Sequence, residues 1–114
     1  MTTKLYNDTI RFFCFINSKI VINEVSKITT NYIVYSGPGG TILRKDILSQ
    51  GKEFIHVHPG WLPKYRGSTT IYYSMLISFE VGASIILFKE GIDEGPILYQ
   101  DIVKINFDNK LFCK

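Results

Sequence analysis

The chain has 114 residues, enough for one small domain with one core but not for two. Apolar residues make up 46 %, charged residues 20 % and aromatics 14 %, a globular balance that excludes disorder, collagen and coiled coil. The net charge of +3 comes without a Lys/Arg run, so nucleic acid is not implied, and no apolar stretch reaches the ~18 residues of a membrane span. The N-terminus lacks the apolar core and cleavage site of a signal peptide. Cys14 and Cys113 have no CxxC spacing, so neither a disulfide framework nor a cysteine zinc site is supported. A reducing cytoplasm is the expected compartment.

Residues 9–15 (TIRFFCF) form a short β-rich run. Asn17 or Ser18 then starts a helix carrying Ile20, Val21, Val25 and Ile28. Residues 31–35 (NYIVY) read as a buried strand, stopped by the Gly/Pro cluster at 36–40. A short helix is expected over 44–50, with Gly51 ending it, and a strand over 53–57. Prolines 59 and 63 preclude regular structure in the next segment. Ser68 or Thr69 caps a helix running to about residue 79. Strands follow over 82–88 and 97–105, with a loop at 89–96. Strands alternating with short helices predict an α/β sheet with a parallel core. The last two strands are joined too closely for a crossover and are expected to pair antiparallel. Three polar or Gly-rich segments (36–41, 58–67 and 89–96) each follow a strand, where open α/β sheets bind ligands.

His56 and His58 are the only histidines and stand two apart at a strand end, so both imidazoles share one face. With Asp93 they have the composition of a two-histidine, one-carboxylate metal set. They equally suit general acid/base work near neutral pH. Asp93 lies in Gly91-Ile92-Asp93-Glu94-Gly95-Pro96, which by composition is an ordinary turn. Lys64, Tyr65 and Arg66 before Gly67 read either as a solvated loop or as a basic rim for a phosphate or carboxylate. The Ser36–Gly40 segment matches no phosphate-loop pattern and reads as a backbone-lined wall for a flat ligand. Trp61 is expected to plug its loop rather than to stack on a ligand.

The segment His56-Val-His-Pro-Gly-Trp-Leu-Pro-Lys-Tyr-Arg-Gly67 resembles the signature of the folate-dependent formyltransferases. A second stretch follows at the right distance: Gly82-Ala-Ser-Ile-Ile-Leu-Phe-Lys-Glu-Gly-Ile-Asp93-Glu-Gly95-Pro-Ile-Leu98. Upstream, Tyr35-Ser-Gly37 and Ile42-Leu43 are similar to a further family loop, and the likeness covers residues 31–105. The resemblance implies a partial Rossmann-like sheet and transfer of a formyl group from 10-formyltetrahydrofolate to a primary amine. His58 and Asp93 match the catalytic histidine and aspartate. His56 stands where the family has asparagine, and Gly60 where it has serine. His56 is then expected to replace the asparagine as a donor to the formyl oxygen, and to be neutral when His58 is charged. Gly37, Gly39, Gly40, Ile42, Leu43, Phe88, Gly91 and Ile92 fall in segments expected to hold the folate. Arg66 and Tyr72 are expected to face the acceptor.

Segment 69–74 loosely resembles the sugar-modifying branch, which implies an amino sugar or sugar nucleotide as acceptor. The family's first βα units and C-terminal module have no counterpart here, so a truncated domain is expected. Its exposed sheet edge suits a homodimer. Two alternatives stay open: a non-catalytic formyltransferase-like fragment, and a metal-dependent hydrolase built on His56, His58 and Asp93.

Overall fold

The computed structural model describes residues 15–106 and the main chain of two short strands, β1 (Leu5–Tyr6) and β2 (Ile10–Arg11). β1 and β2 pair antiparallel, and the rest of the run expected over 9–15 lies largely outside the described residues.

Helix α1 (Lys19–Ser26) begins where the capping signal stands. The Ser18 side chain accepts from the Val21 amide at 3.4 Å. Val21 and Val25, one turn apart, enter the core, and Ile28 packs beside them. Ile20, expected on the same face, is 63 % exposed. Its position one residue before Val21 turns it roughly 100° around the helix. Asn17 then ties this end of α1 to the next helix: its Oδ1 accepts from the Arg44 amide and its Nδ2 donates to the Ile42 carbonyl, both at 2.8 Å. Helix α2 (Lys45–Leu48) is shorter than the expected 44–50, and Gly51 beyond it takes φ +70°.

Strands β3 (Tyr32–Tyr35), β4 (Glu53–His58), β5 (Glu80–Leu87) and β6 (Ile97–Lys104) form one sheet in the order β3-β4-β5-β6. β3 is not the buried strand its composition predicts. Ile33 and Tyr35 pack on the core, while Tyr32 and Val34 are 64 % and 73 % exposed. It is an edge strand covered on one face, and β-branched composition alone does not distinguish that from full burial. The core lies on the covered face, where Val21, Val25, Leu43, Ile47, Phe54 and Phe88 meet.

β3 and β4 are parallel, whereas β5 and β6 each run antiparallel to their predecessor. The parallel core is therefore one strand pair. The helix-bearing connection from β4 to β5 would make a parallel crossover only if it returned to the start of β4. Instead residues 59–69 and helix α3 (Thr70–Ser78) bring the chain back at the end where β4 finishes, with His58 opposite Ser84.

The anchor is Ser84. Its hydroxyl donates to the Gly60 carbonyl at 2.6 Å and accepts from the Leu62 amide at 3.1 Å and Gln100 Nε2 at 2.9 Å. Gln100 also donates to the Leu62 carbonyl at 2.8 Å. Gly82 leaves room for Trp61, whose amide would lie 3.0 Å from a Cβ there. The Trp61 main chain is thus seated close against the strand.

α3 is turned inside out. Thr70 and Ser74 are buried, and Tyr72, Tyr73, Leu76 and Ile77 are exposed. Thr70 Oγ1 donates to the Pro59 carbonyl at 2.7 Å, which explains why the polar side of the helix faces inward.

Ser84→Ala is expected to leave the Leu62 amide and Gly60 carbonyl unpaired in a buried place, at a cost of about 1–3 kcal/mol. Urea unfolding should show a lower midpoint with an unchanged slope.

Candidate active site

The site forms where three chain segments leave the sheet. β4 projects His56 and His58 on the covered face, the loop 59–67 folds back over them, and the loop after β5 brings in Asp93. Period-two alternation places the two imidazoles side by side, ring centroids 6.4 Å apart.

His58 is 2 % exposed and both of its nitrogens are engaged. Nε2 lies 2.6 Å from the Tyr65 carbonyl, and Nδ1 lies 3.4 Å from Asp93 Oδ2. A carbonyl only accepts, so Nε2 carries a hydrogen. The close approach of the Tyr65 carbonyl depends on Gly60. A Cβ at position 60 would sit 2.8 Å from His58 Nε2 and 2.9 Å from the Tyr65 oxygen.

Asp93 is held as firmly. Oδ2 accepts from the Gly67 amide at 2.7 Å, and the side chain is 9 % exposed. Asp93 takes φ +51°, a left-handed conformation that aspartate tolerates better than most residues. Gly67, at φ +91°, uses the freedom of glycine to aim its amide at that carboxylate.

His56 Nδ1 lies 3.2 Å from the Tyr35 carbonyl across the parallel pair, which puts the hydrogen on Nδ1. The Phe88 ring packs 5.1 Å from the His56 ring and edge-on to Tyr35 at 5.6 Å. One nitrogen from each imidazole and one Asp93 oxygen all lie within 4.8 Å of one another.

The positions expected to hold folate are more scattered. Gly40, at φ +80°, faces open space, and Ile42 and Ile92 are about half exposed. Leu43 is wholly buried in the core, so only its main chain can line a ligand. Phe88 is 8 % exposed and backs His56. Gly37 is packed against the Tyr35 hydroxyl, a buried group with no hydrogen-bond partner among the described residues. Gly39 approaches the Ser68 side chain, and Gly91 the Glu94 side chain. Arg66 is half exposed and faces Glu94 at 3.7 Å. Tyr72 is on the outer side of α3, exposed.

The Tyr65 hydroxyl meets Ser78 Oγ at 2.5 Å, and this hydrogen bond holds the phenol below its ordinary range. It also ties the loop to α3. Composition and spacing miss three groups of the site: the carbonyls of Tyr35 and Tyr65 and the amide of Gly67. All are main chain, so no side-chain pattern marks them. Gly67 is the one signal available, a glycine at fixed distance after the histidines.

Comparison with known proteins gives the class to which this architecture belongs. The formyl transferase family model matches residues 17–111, and the chain belongs to that family. It is 38 % identical over 101 residues to the methionyl-tRNA formyltransferase of Finegoldia magna, covering 87 % of this chain and 32 % of that protein. The Nitratiruptor methionyl-tRNA formyltransferase is 36 % identical over 98 residues, at 84 % and 32 % coverage. The chain thus spans about a third of the length of these relatives.

Among solved structures, the phosphoribosylglycinamide formyltransferase of Bacillus Halodurans superposes with a TM-score of 0.68 at 24 % identity, covering 79 % of this chain and 47 % of that one. This likeness shows the fold. A sugar N-formyltransferase from Shewanella gives a TM-score of 0.66 at 26 % identity, with 80 % and 36 % covered.

Gly60→Ala should press a methyl group onto His58 Nε2 and the Tyr65 oxygen. Overpacking of this kind costs about 1–3 kcal/mol. Chemical denaturation is expected to show that loss, and histidine NMR resonances should shift for His58 more than for His56.

Proposed function

We propose that this chain is one portion of a formyltransferase catalytic domain, centred on residues 31–105, in which His58 and Asp93 serve the transfer of a formyl group from 10-formyltetrahydrofolate to a primary amine. The observation that carries this reading is the buried His58–Asp93 pair, 3.4 Å apart and locked by the Gly67 amide. The donor supplies the activated formyl group. Every other requirement falls to the protein: a hydrogen-bond donor for the formyl oxygen, and a route that carries the proton from the attacking amine to the departing folate nitrogen as its bond to the formyl carbon breaks.

His58 is the donor. Its Nε2–H, which the Tyr65 carbonyl accepts, is the hydrogen proposed to serve the formyl oxygen. Asp93 keeps the ring oriented and offsets positive charge on it. His56 plays a different part from the asparagine it replaces. With its hydrogen on Nδ1 toward Tyr35, a neutral ring offers a lone pair at Nε2 and no second N–H. It is therefore suited to receive the amine proton rather than to hold an oxyanion.

Gly40, Ile42 and Ile92 offer an open and partly apolar surface for the pterin, with the Leu43 main chain and Phe88 behind it. A cleft of about 270 Å³ at Phe88 is lined by Lys45, Lys52 and Lys89 together with Glu53 and Glu90, and Lys89 faces Glu53 at 3.7 Å, so its lining is of mixed charge. Arg66 and Tyr72, both exposed, are the residues proposed to meet the acceptor.

The acceptor is the open part of this reading. An amino sugar or sugar nucleotide is supported by segment 69–74 and by the likeness to the Shewanella enzyme. Methionyl-tRNA is the second acceptor, favoured by the higher identity to enzymes bearing that name. The outer edge of β3 is where further strands, or a second copy of the chain, would add to the sheet. The cytoplasm remains the proposed compartment, on the cysteine spacing and the family.

The test is formyl transfer from 10-formyltetrahydrofolate to each acceptor, alongside binding of 5-formyltetrahydrofolate. His58→Ala is expected to lower transfer by roughly 10²–10⁴-fold, the usual worth of a positioned acid or base. Asp93→Asn should lower it as well while folate binding stays. A folded chain that neither binds the folate nor transfers would instead be a non-catalytic fragment.

A further inference from the structure

The two histidines and Asp93 are arranged in a way that formyl transfer does not require. The Tyr65 carbonyl takes the Nε2 hydrogen of His58 at 2.6 Å, which leaves the Nδ1 lone pair of a neutral ring facing Asp93. The Tyr35 carbonyl takes the Nδ1 hydrogen of His56 at 3.2 Å, which leaves the Nε2 lone pair free of that bond. Asp93 adds a carboxylate oxygen whose position is set by the Gly67 amide. One donor atom from each of the three residues lies within 4.8 Å of the others.

With His58 neutral, two imidazole lone pairs and a carboxylate converge on one small, largely buried space, an arrangement that a cation between them would stabilise. A main-chain carbonyl on the far nitrogen of each imidazole is also the outer support that fixes the tautomer of a metal-bound histidine.

We propose that His56, His58 and Asp93 form a binding site for one divalent late first-row cation, with zinc the best match. The distances support it. With zinc–nitrogen and zinc–oxygen bonds of about 2.0–2.2 Å, tetrahedral ligands stand about 3.4 Å apart. His58 Nδ1 and Asp93 Oδ2 are already 3.4 Å apart. The third donor, from His56, lies within 4.8 Å of both. Two nitrogens and one oxygen leave a fourth position for water or a ligand.

His56 makes the site. The asparagine that the family resemblance implies at this position offers an amide, a poor ligand for zinc. The inference goes beyond the formyl-transfer reading and does not rest on it. Its consequence for that reading is direct, because the ion would occupy His58 Nδ1 and Asp93 together.

The experiment uses the untagged chain, freed of metal and titrated with Co²⁺ and then Zn²⁺. Visible cobalt absorption of a four- or five-coordinate site, with one equivalent bound and displaced by zinc, is the expected result. His56→Asn should weaken zinc binding by at least ~100-fold, beyond the 10–100-fold typical of losing an outer-shell partner. Circular dichroism confirms that this variant is folded. His56→Gln is a second variant should His56→Asn not fold. Absence of binding by the folded wild-type chain overturns the proposal. Equal binding by the two also overturns it, since the ion would then sit elsewhere. Folate binding by the metal-free chain is read separately and reports on the formyl-transfer reading alone.

Discussion

The site depends on one constraint: the chain after His58 has to stay at the end of the sheet it has just reached. Ser84 enforces this by bonding the Gly60 carbonyl and the Leu62 amide, and Gln100 supports it from the next strand. Buried main-chain groups need partners, and here a serine and a glutamine on neighbouring strands supply them. Once the loop is pinned, Tyr65 and Gly67 fall over the two residues they serve. The antiparallel course of β5, the inward-facing polar side of α3 and the seat of Trp61 on Gly82 all follow from the same pinning.

The pinned loop makes the pair of histidines unequal. Both come from one strand, two residues apart, and both give a hydrogen to a main-chain carbonyl. They give it from opposite nitrogens, however. His58 is thereby left with Nδ1 toward Asp93, and His56 with Nε2 as its acceptor. The proposed formyl transfer and the proposed metal site share His56 Nε2 and the Asp93 carboxylate.

Much of the fold was legible because its signals are local. Ser18 as a cap, the four main strands and the loop at 89–96 each follow from nearby residues, whereas Thr69, at φ +61°, starts α3 without the capping bond expected of it and turns its hydroxyl to the Ser68 carbonyl. What failed was non-local. The exposed side of β3 depends on which elements cover the sheet, and Ile20 on the rotation of α1 about its axis. The limited extent of the parallel core depends on hydrogen bonds made 22 to 38 residues away in sequence.

The sequence by itself determined the family, the shared face of His56 and His58, and the pairing of those residues with Asp93 as chemistry-bearing groups. It could do so because motif spacing and strand periodicity are properties of the chain. Only the tertiary structure decided the tautomers, the closure of Tyr65 on His58 through the space at Gly60, and the burial of Leu43 where a ligand contact was expected. Each of these turns on main-chain atoms or on packing between distant segments. A carbonyl looks the same at every residue until folding chooses its partner.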